Sequence, residues 1–268
     1  MNNKIGLGIV TCGREEMFKQ CVNSIPACVD TLVVVNDATP YDKSSYPSNV
    51  KEVIQNSKHK PVGSSKNALL RYLIQDDVDH LFIMEDDVYV KDPTVFEKYI
   101  KTAETTGIWH MNMGYHGPAN FKNGIPAPRQ IVDYGNGIEL ALNLHVVGAF
   151  SYYLRGIIKN IGYMDDRFIN AWDHCQHTAR IARDGLHPPF WWFADVAGSY
   201  NLIGDLDPTL INSQIRKDNP EWMKNIKEGA ELFKHTMGFY PTQMPDVGQD
   251  IVIKRLEEIQ KNYARKST

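Results

Sequence analysis

The chain has 268 residues, with 29 Lys and Arg against 32 Asp and Glu, so its formal net charge is −3. Hydrophobic residues make up 43% and charged residues 23%, which is typical of globular proteins and argues against disorder, collagen or a coiled coil. A charge this close to neutrality argues against a dedicated nucleic-acid binder. The N-terminal apolar run is too short for a signal peptide, which favours a cytoplasmic protein without a membrane span.

The first hundred residues alternate between predicted strands and predicted helices. Solid apolar runs at 4–10, 31–35 and 80–84 are typical of buried parallel strands, and 50–54 is a weaker candidate. Apolar residues three and four apart predict helices over 17–25 and from Gly63 onwards, and Asp92-Pro93 predicts the start of a third helix. This order predicts an α/β fold with a mostly parallel sheet flanked by helices.

The pattern is looser in the second part of the chain. Residues 144–154 form a further apolar segment, and residues 170–183 predict a helix with Asn170 as its N-cap. Residues 198–220 show no clear period and predict a mobile loop, and a last amphipathic helix is predicted over 250–263. Because no linker interrupts the chain, we expect a single domain over residues 1–268.

Three polar clusters directly follow predicted strands. They are Thr11-Cys12-Gly13-Arg14, Asn36-Asp37 and Glu85-Asp86-Asp87. In open α/β sheets, ligands bind beyond the carboxyl ends of the strands. Turn formation is an alternative for the second cluster and a solvated loop for the third. Three adjacent acids repel one another, however, so at a ligand-binding edge they favour Mg²⁺ or Mn²⁺ shared with a diphosphate.

Two familiar nucleotide-binding motifs are missing from the sequence. Gly6-Leu7-Gly8 lacks the third glycine of GxGxxG and lies inside the first predicted strand rather than after it. No GxxxxGK[ST] sequence occurs either. The sequence therefore disfavours a dinucleotide-dependent dehydrogenase and a P-loop enzyme.

Four motifs in a fixed order carry a resemblance to a known family. A first strand leading to TCGR is followed by VVVNDAT, then VGSSKNALL, then LFIMEDDVYV. In this order they resemble the nucleotide-diphospho-sugar glycosyltransferases of the GT-A fold, and the resemblance extends over about residues 4–187. It implies a Rossmann-like, mostly parallel sheet that binds a nucleotide sugar.

The resemblance also implies roles for the residues of these motifs. Asp37, with Asn36 beside it, corresponds to the acid that contacts uracil or ribose of a UDP-sugar, and Thr11 and Arg14 lie against the nucleotide. Asp87 corresponds to the direct ligand of Mn²⁺ or Mg²⁺. Glu85 and Asp86 of the acidic motif would contact the ribose, the sugar or metal-bound water. Lys66, which stands where family-2 members often carry Arg, would contact the donor.

The segment GYMDDRFINAWDHCQHTARIARDG, residues 162–185, adds a further match. It is similar to the family-2 pattern, but Trp172-Asp173 replaces the usual Glu-Asp and resembles inverting N-acetylglucosaminyltransferases instead. The resemblance implies that Asp173 is the general base. A structural alternative stays open, because Asp173 would be the third residue of a helix capped by Asn170, where a carboxylate supports the cap and has its pKa lowered.

The histidines suggest one further metal ligand. GT-A enzymes often take a ligand from a late His or Asp next to a flexible loop, which makes His235 the candidate, with Asp205 and Asp207 as alternatives. His174 and His177 lie three residues apart on one predicted helix. Because no third ligand is nearby in sequence, we interpret them as surface or hydrogen-bonded residues.

The resemblance implies a metal-dependent, inverting glycosyltransferase that moves a sugar from a UDP-sugar to a hydroxyl group of a glycan or glycolipid. Residues 1–107 would form its nucleotide-binding half, and residues 108–268 an elaborated acceptor-binding half that ends in the last predicted helix. The basic residues of that helix indicate a solvated face or a weak membrane-surface contact. They are Lys254, Arg255, Lys261, Arg265 and Lys266.

Three other functions stay open at this stage. The chain could transfer sugar to modified nucleic acid, although its net charge argues against a stable nucleic-acid complex. It could be a sugar-phosphate nucleotidyltransferase, although TCGREE does not supply the Gly-rich, Arg-containing loop of those enzymes. It could also be a non-catalytic module that binds a nucleotide sugar.

Overall fold

The computed structural model describes residues 3–37, 39–213 and 221–265. Its strands are β1 (Ile5–Thr11), β2 (Thr31–Asp37), β3 (Val50–Asn56), β4 (His80–Glu85), β5 (Val88–Val90), β6 (His110–Asn112), β7 (Phe121–Lys122), β8 (Ile125–Pro126), β9 (Gln130–Asp133), β10 (Glu139–Asn143), β11 (Phe150–Leu154), β12 (Phe193–Val196) and β13 (Ile203–Asp205). Its helices are α1 (Glu15–Asn23), α2 (Val62–Gln75), α3 (Val95–Thr106), α4 (Arg155–Ile161), α5 (Asp173–Arg183), α6 (Trp222–Met237) and α7 (Gln249–Tyr263).

The centre of the protein is a six-stranded sheet in the order β3-β2-β1-β4-β11-β6. Strands β3, β2, β1 and β4 are parallel, whereas β11 runs antiparallel to both of its neighbours. All residues of β2 and nearly all of β1 and β4 are buried, which explains their unbroken apolar runs. The predicted α/β architecture with a mostly parallel sheet is confirmed.

Two glycines of β1 let helix α2 pack closely on the sheet. A Cβ atom at Gly8 would lie 2.7 Å from Cβ of Leu69, and one at Gly6 would lie 2.7 Å from Cδ2 of Leu73. Any side chain at these positions would push the helix away. The Gly6-Leu7-Gly8 sequence therefore serves helix–sheet packing, in agreement with its rejection as a nucleotide-binding motif.

The helix following Asp92-Pro93 begins later than predicted. The Asp92 carboxylate accepts a hydrogen bond from the Thr94 amide at 2.9 Å, and α3 then begins at Val95. Asp92 thus stabilises the turn before the helix rather than capping its first turn. The last helix follows the prediction closely, because α7 covers Gln249–Tyr263 and packs against α3.

The second part of the chain adds small antiparallel sheets. Strands β12, β10 and β9 form one, β7 and β8 form a hairpin, and β13 pairs with β5. The predicted loop over 198–220 therefore contains the strand β13, while residues 214–220 lie outside the described residues, as does Lys266. In the described part of the chain, no helix has the length and apolarity that crossing a bilayer requires.

Two features of the second part differ from the sequence-based expectation. Helix α6, over Trp222–Met237, was not predicted. Helix α5 begins at Asp173, and its N-cap is Trp172, which has a positive φ of 67°, so the prediction of Asn170 as the cap is wrong. The Trp172 indole donates a hydrogen bond to the Ile226 carbonyl of α6 at 3.0 Å, so packing between the two helices fixes this turn. Asn170 instead accepts a hydrogen bond from the Val62 amide at 3.3 Å.

Candidate active site

The three polar clusters that follow β1, β2 and β4 meet at one edge of the central sheet. The register pairs Thr11 with Asn36 and Val10 with Glu85, so the carboxyl ends of these strands are level. Strand β6 also ends at this edge, because it runs parallel to β4 through the shared neighbour β11. The edge therefore gathers side chains from four strand ends, which is where ligands bind in open α/β sheets.

The first group at this edge, termed the Arg14 cluster, consists of Thr11, Arg14, Tyr41, Asp86 and Asp87. Arg14 donates to Asp86 through Nη2 and to Oδ2 of Asp87 through Nη1, the latter at 3.0 Å. A chain of hydrogen bonds supports the pair: the Arg14 amide donates to the Tyr41 hydroxyl at 2.8 Å, Tyr41 contacts the Thr11 hydroxyl at 2.7 Å, and Thr11 donates to Asp86 at 2.6 Å. The guanidinium thus supplies a positive charge to two of the three acids.

Both acids of the Arg14 cluster are buried, and this alters their ionisation. Burial, reinforced by the charge of Asp87, raises the pKa of Asp86 to about 7, although Arg14 opposes the shift. Burial and the charge of Glu85 likewise raise the pKa of Asp87, against the influence of His116 and Arg14. Further positive charge at this position would therefore favour the ionised forms.

His116 and Asp205 lie next to Asp87. Nε2 of His116 is 3.8 Å from Oδ2 of Asp87, and its Nδ1 is 3.1 Å from Oδ2 of Asp205. Pairing of β13 with β5 places Asp205 opposite Val88, one residue beyond Asp87. Burial acts to lower the pKa of His116, but the two carboxylates outweigh it and raise that pKa. Sequence reasoning named Asp205 as an alternative ligand but missed His116, whose only signal is its position just after strand β6.

These side chains supply oxygen and nitrogen donors of the kind that Mn²⁺ and Mg²⁺ accept. Oδ1 of Asp87 is buried, and in the described part of the chain it has no hydrogen-bond partner. No group of three or more His, Cys, Asp or Glu side chains among the described residues is arranged to hold a metal ion. A single carboxylate still fits the chemistry, because Mg²⁺ is commonly held by one or two carboxylates together with substrate phosphates.

His235 is not among the described residues that contact Asp87, although a role as a further metal ligand would require it to lie there. It lies exposed in the last turn of α6. Asp207, the other alternative, is buried and accepts hydrogen bonds from Asn212 in its own loop. Of the three sequence-based candidates for a further ligand, the structure brings Asp205 into the group around Asp87.

The second group at the edge, termed the Lys66 cluster, consists of Lys66, Glu85, Gly148, Asp173 and His174. Nζ of Lys66 donates to Oε1 of Glu85 at 2.5 Å and to the Gly148 carbonyl at 2.8 Å. Burial acts to lower the pKa of Lys66, which is only 1% exposed, but Glu85 and Asp173 outweigh it and raise that pKa. Burial acts to raise the pKa of Glu85, and Lys66 outweighs it so that the pKa is lowered. Lys66 therefore stays charged and holds Glu85 ionised.

Asp173 enters this cluster from the first residue of helix α5. Burial alone would raise its pKa, but His174, Lys66 and its own backbone amide outweigh burial and bring the pKa to about 2. Its Oδ2 atom is buried and has no hydrogen-bond partner among the described residues. A Cβ atom at Gly63 would lie 3.1 Å from Cβ of Asp173, so a glycine is what allows α2 to approach the carboxylate. The result is a buried carboxylate that is ionised at neutral pH.

Asn36 and Asp37 lie deeper at the same edge and are held by other side chains. Oδ2 of Asp37 accepts a hydrogen bond from Ser65 at 2.7 Å, and Oδ1 accepts one from Asn56. Asn36 donates to the Tyr46 hydroxyl at 2.8 Å, and its buried Oδ1 has no partner among the described residues. Both side chains are thus fixed by long-range contacts at the end of β2.

The fold has a counterpart among solved structures. Residues 1–349 of S. aureus TarS superpose with a TM-score of 0.53 and 14% sequence identity over 97% of this chain and 83% of that one. A mannosyltransferase from Pyrobaculum calidifontis, PcManGT, solved with GDP-Man and Mn²⁺, gives a TM-score of 0.48 and 11% identity over 69% of this chain and 55% of its own. No family model and no curated protein matches the sequence.

The likeness to TarS shows that the chain has the GT-A fold, which confirms the fold expected from the sequence motifs. At this level of identity the likeness concerns the fold alone.

Proposed function

We propose that this chain is an inverting glycosyltransferase that transfers a sugar from a UDP-sugar to a hydroxyl group of a glycan or glycolipid acceptor. The observation that carries the proposal is Asp173, an ionised buried carboxylate with a free oxygen atom. It shares the Lys66 cluster with Glu85, at the ligand-binding edge of a GT-A sheet. A base and an acidic motif at this edge are the groups that such a transfer needs.

The Arg14 cluster is the proposed site for the nucleotide diphosphate. Arg14 is positively charged and 14% exposed, so its guanidinium can exchange a carboxylate partner for a phosphate. Thr11 lies behind it, while Asn36 and Asp37 at the end of β2 are the proposed contacts for uracil and ribose. Lys66 and Glu85 lie on the other side of the acidic motif, towards the sugar.

Asp87 is the proposed protein ligand of Mn²⁺ or Mg²⁺, with His116 and Asp205 rather than His235 as its neighbours in the site. When bound, the metal supplies positive charge that stabilises the departing diphosphate. The residues of this chain do the rest: Arg14 holds the diphosphate, and Asp86 anchors Arg14 through a buried ion pair.

The transfer itself is a single displacement at the anomeric carbon. The acceptor oxygen forms a bond to that carbon while the bond to the diphosphate oxygen breaks, and UDP leaves with the electron pair. The acceptor hydroxyl loses its proton to the base that Asp173 supplies or supports. Attack from the face opposite the diphosphate inverts the configuration of the sugar.

The first test measures binding and slow hydrolysis of UDP-glucose, UDP-galactose and UDP-N-acetylglucosamine, with and without Mn²⁺. We expect one donor to bind, Mn²⁺ to strengthen its binding, and Asp87→Ala to remove the Mn²⁺ effect. Asp92→Ala, which changes a partly exposed aspartate outside both clusters, is the matched control. If no UDP-sugar binds, the proposed donor is wrong, and if Mn²⁺ acts equally on Asp87→Ala, the proposed ligand is wrong.

The second test separates catalysis from binding through Asp173→Asn. This change removes the carboxylate charge with little change in shape, and we expect turnover to fall by roughly 1,000-fold, within the range for general bases. The dissociation constant of the UDP-sugar should stay within about two-fold of the wild-type value, because Asp173 is outside the nucleotide site. Asp184→Asn, at the exposed end of the same helix, is the control. Equal losses of binding and turnover would contradict a role in the chemical step.

A further inference from the structure

Asp173 and His174 are consecutive residues with very different access to solvent. The Asp173 side chain is 2% exposed and the His174 side chain is 26% exposed. The free oxygen of Asp173, Oδ2, is fully buried, and it would lie only 3.5 Å from a Cβ atom placed at Gly63. Of the two side chains, only the imidazole of His174 is therefore partly open to an acceptor hydroxyl that approaches from solvent.

The two side chains also face one another. Nδ1 of His174 lies 3.6 Å from Oδ1 of Asp173, which is within ion-pair range and slightly longer than a hydrogen bond. Catalytic hydrogen bonds are often this long before substrate binds. An Nδ1–H directed at the carboxylate leaves Nε2 as the acceptor nitrogen of a neutral imidazole.

We propose that His174 is the group that accepts the proton of the acceptor hydroxyl and that Asp173 orients His174 and stabilises its charged form. This inference rests on the proposed glycosyl transfer and assigns the proton acceptor within it. His174 is then the catalytic residue, and Asp173 is a positioning residue.

Charged groups from several elements surround His174. A Cβ atom at Gly148 would lie 3.0 Å from its Nδ1 and 2.9 Å from Nζ of Lys66, so the two nitrogen-bearing side chains flank the same glycine. The charge of His174 also acts on Glu85 at the end of β4 and on His110 of β6. The charges that act near the imidazole are thus those of the carboxylates Asp173 and Glu85 and of the cation Lys66. The two carboxylates would stabilise an imidazolium formed during the reaction, and Lys66 would oppose them.

The proton and the electrons balance in this scheme. The acceptor O–H proton moves to Nε2 of His174 as the acceptor oxygen bonds to the anomeric carbon. The bond from that carbon to the diphosphate oxygen breaks, and UDP departs with the electron pair. The imidazolium, paired with the Asp173 carboxylate, then returns its proton to solvent through its exposed edge.

The test uses the full chain, the UDP-sugar that binds wild type most tightly, Mn²⁺, and water or a sugar as the acceptor. We expect His174→Ala to lower turnover by at least about 100-fold with unchanged donor affinity, and added imidazole to restore about ten-fold or more of the loss. His59→Ala, which removes an exposed histidine, should behave as wild type with and without imidazole.

The other possible results would contradict the proposed role of His174. If His174→Ala retains turnover within about three-fold of wild type, the acceptor role of His174 is overturned, and direct proton transfer to Asp173 is favoured. If turnover falls but imidazole restores nothing, while donor affinity shows a folded site, His174 has a structural role and the proposal is overturned. If wild type turns over no UDP-sugar, the proposed function is wrong, and so are the roles proposed for His174 and Asp173. His174→Gln, assayed in parallel, confirms that a loss does not come from the cavity left by alanine.

Discussion

Glu85 and its neighbours Asp86 and Asp87 are consecutive in sequence but belong to two different clusters. Glu85 points to helix α2, where it pairs with Lys66, whereas Asp86 and Asp87 point to the loop after β1, where both pair with Arg14. The Lys66 cation is 2% exposed and fixed by a helix; the Arg14 cation is 14% exposed and comes from a loop. The division falls where the strand ends, because Glu85 is the last residue of β4 whereas Asp86 and Asp87 form the turn before β5.

This difference bears on the charge of the acidic motif. The three adjacent acids repel one another, which favours a cation beside them. The structure provides two protein cations for the three acids, so their repulsion is reduced but not removed, and the pKa of Asp86 and that of Asp87 stay raised. A metal at Asp87 is therefore proposed to add positive charge for these acids as well as for the bound diphosphate. The comparison teaches that Lys66 should govern stability and Arg14 should govern ligand binding.

The largest effect on stability is expected from Lys66→Met. Methionine fills a similar volume but leaves Glu85 and Asp173 without their buried cation. We expect a loss of about 3 kcal/mol in the free energy of unfolding, at the low end for broken buried pairs because Glu85 is 23% exposed. Urea unfolding without donor is the measurement. Lys98→Met removes an exposed ion pair with Asp92 and should change the free energy by less than about 0.5 kcal/mol. Equal losses in the two variants would contradict the comparison.

The next effect, measured on metal binding, is expected from Arg14→Gln. The guanidinium lies 3.0 Å from Oδ2 of Asp87, so a metal ion at Asp87 must compete with it. Removing one charge-assisted hydrogen bond is worth about 1.5 kcal/mol, so Mn²⁺ should bind the donor-free variant about ten-fold more tightly. Electron paramagnetic resonance of free Mn²⁺ measures this affinity directly. In the same variant, UDP-sugar binding without metal should weaken, because the diphosphate loses its protein cation. Unchanged Mn²⁺ affinity would place the metal away from Arg14.

How well the sequence predicts the site depends on how far apart in sequence the contacting residues lie. Arg14 and the three acids lie at the ends of buried parallel strands, whose apolar runs identify them locally, and parallel strands must bring their carboxyl ends together. Lys66 lies in helix α2 and was identified from the family resemblance. His116 and Asp205 join Asp87 through contacts 29 and 118 residues away in sequence, and no local pattern encodes such contacts. The short β5–β13 pair that delivers Asp205 has only three residues in each strand.

The start of helix α5 shows why a local capping rule can fail. Asn170 is three residues before Asp173 and has the residue type that caps helices. Trp172 takes the cap position because its indole is bound to α6, an element without a prediction of its own. Tertiary packing thus overrides local preference here, and it moves Asp173 from the third to the first residue of the helix. The pKa of Asp173 is lowered, as expected, but His174 and Lys66 lower it more than its own backbone amide at the helix terminus does.

Gly148→Ala is expected to change stability least. It also tests most directly whether the two clusters act separately. The new methyl group would lie 2.9 Å from Nζ of Lys66 and 3.0 Å from Nδ1 of His174. Because Lys66 is buried and held by Glu85, the strain should fall mainly on His174, at a cost of about 1 kcal/mol in unfolding free energy. Turnover should fall by about ten-fold or more, since small displacements of catalytic groups are costly.

The control for this variant is Gly124→Ala, in the turn between β7 and β8. Its φ of +74° makes alanine strained by about 1 kcal/mol, while nothing lies within 4 Å of the new methyl group. The two variants should therefore unfold at similar urea concentrations, but Gly124→Ala alone should keep wild-type turnover. Mn²⁺ affinity and donor affinity should be unchanged in both, because neither glycine touches the Arg14 cluster. A Gly148→Ala protein that loses donor affinity as well as turnover would show that the two clusters act as one site.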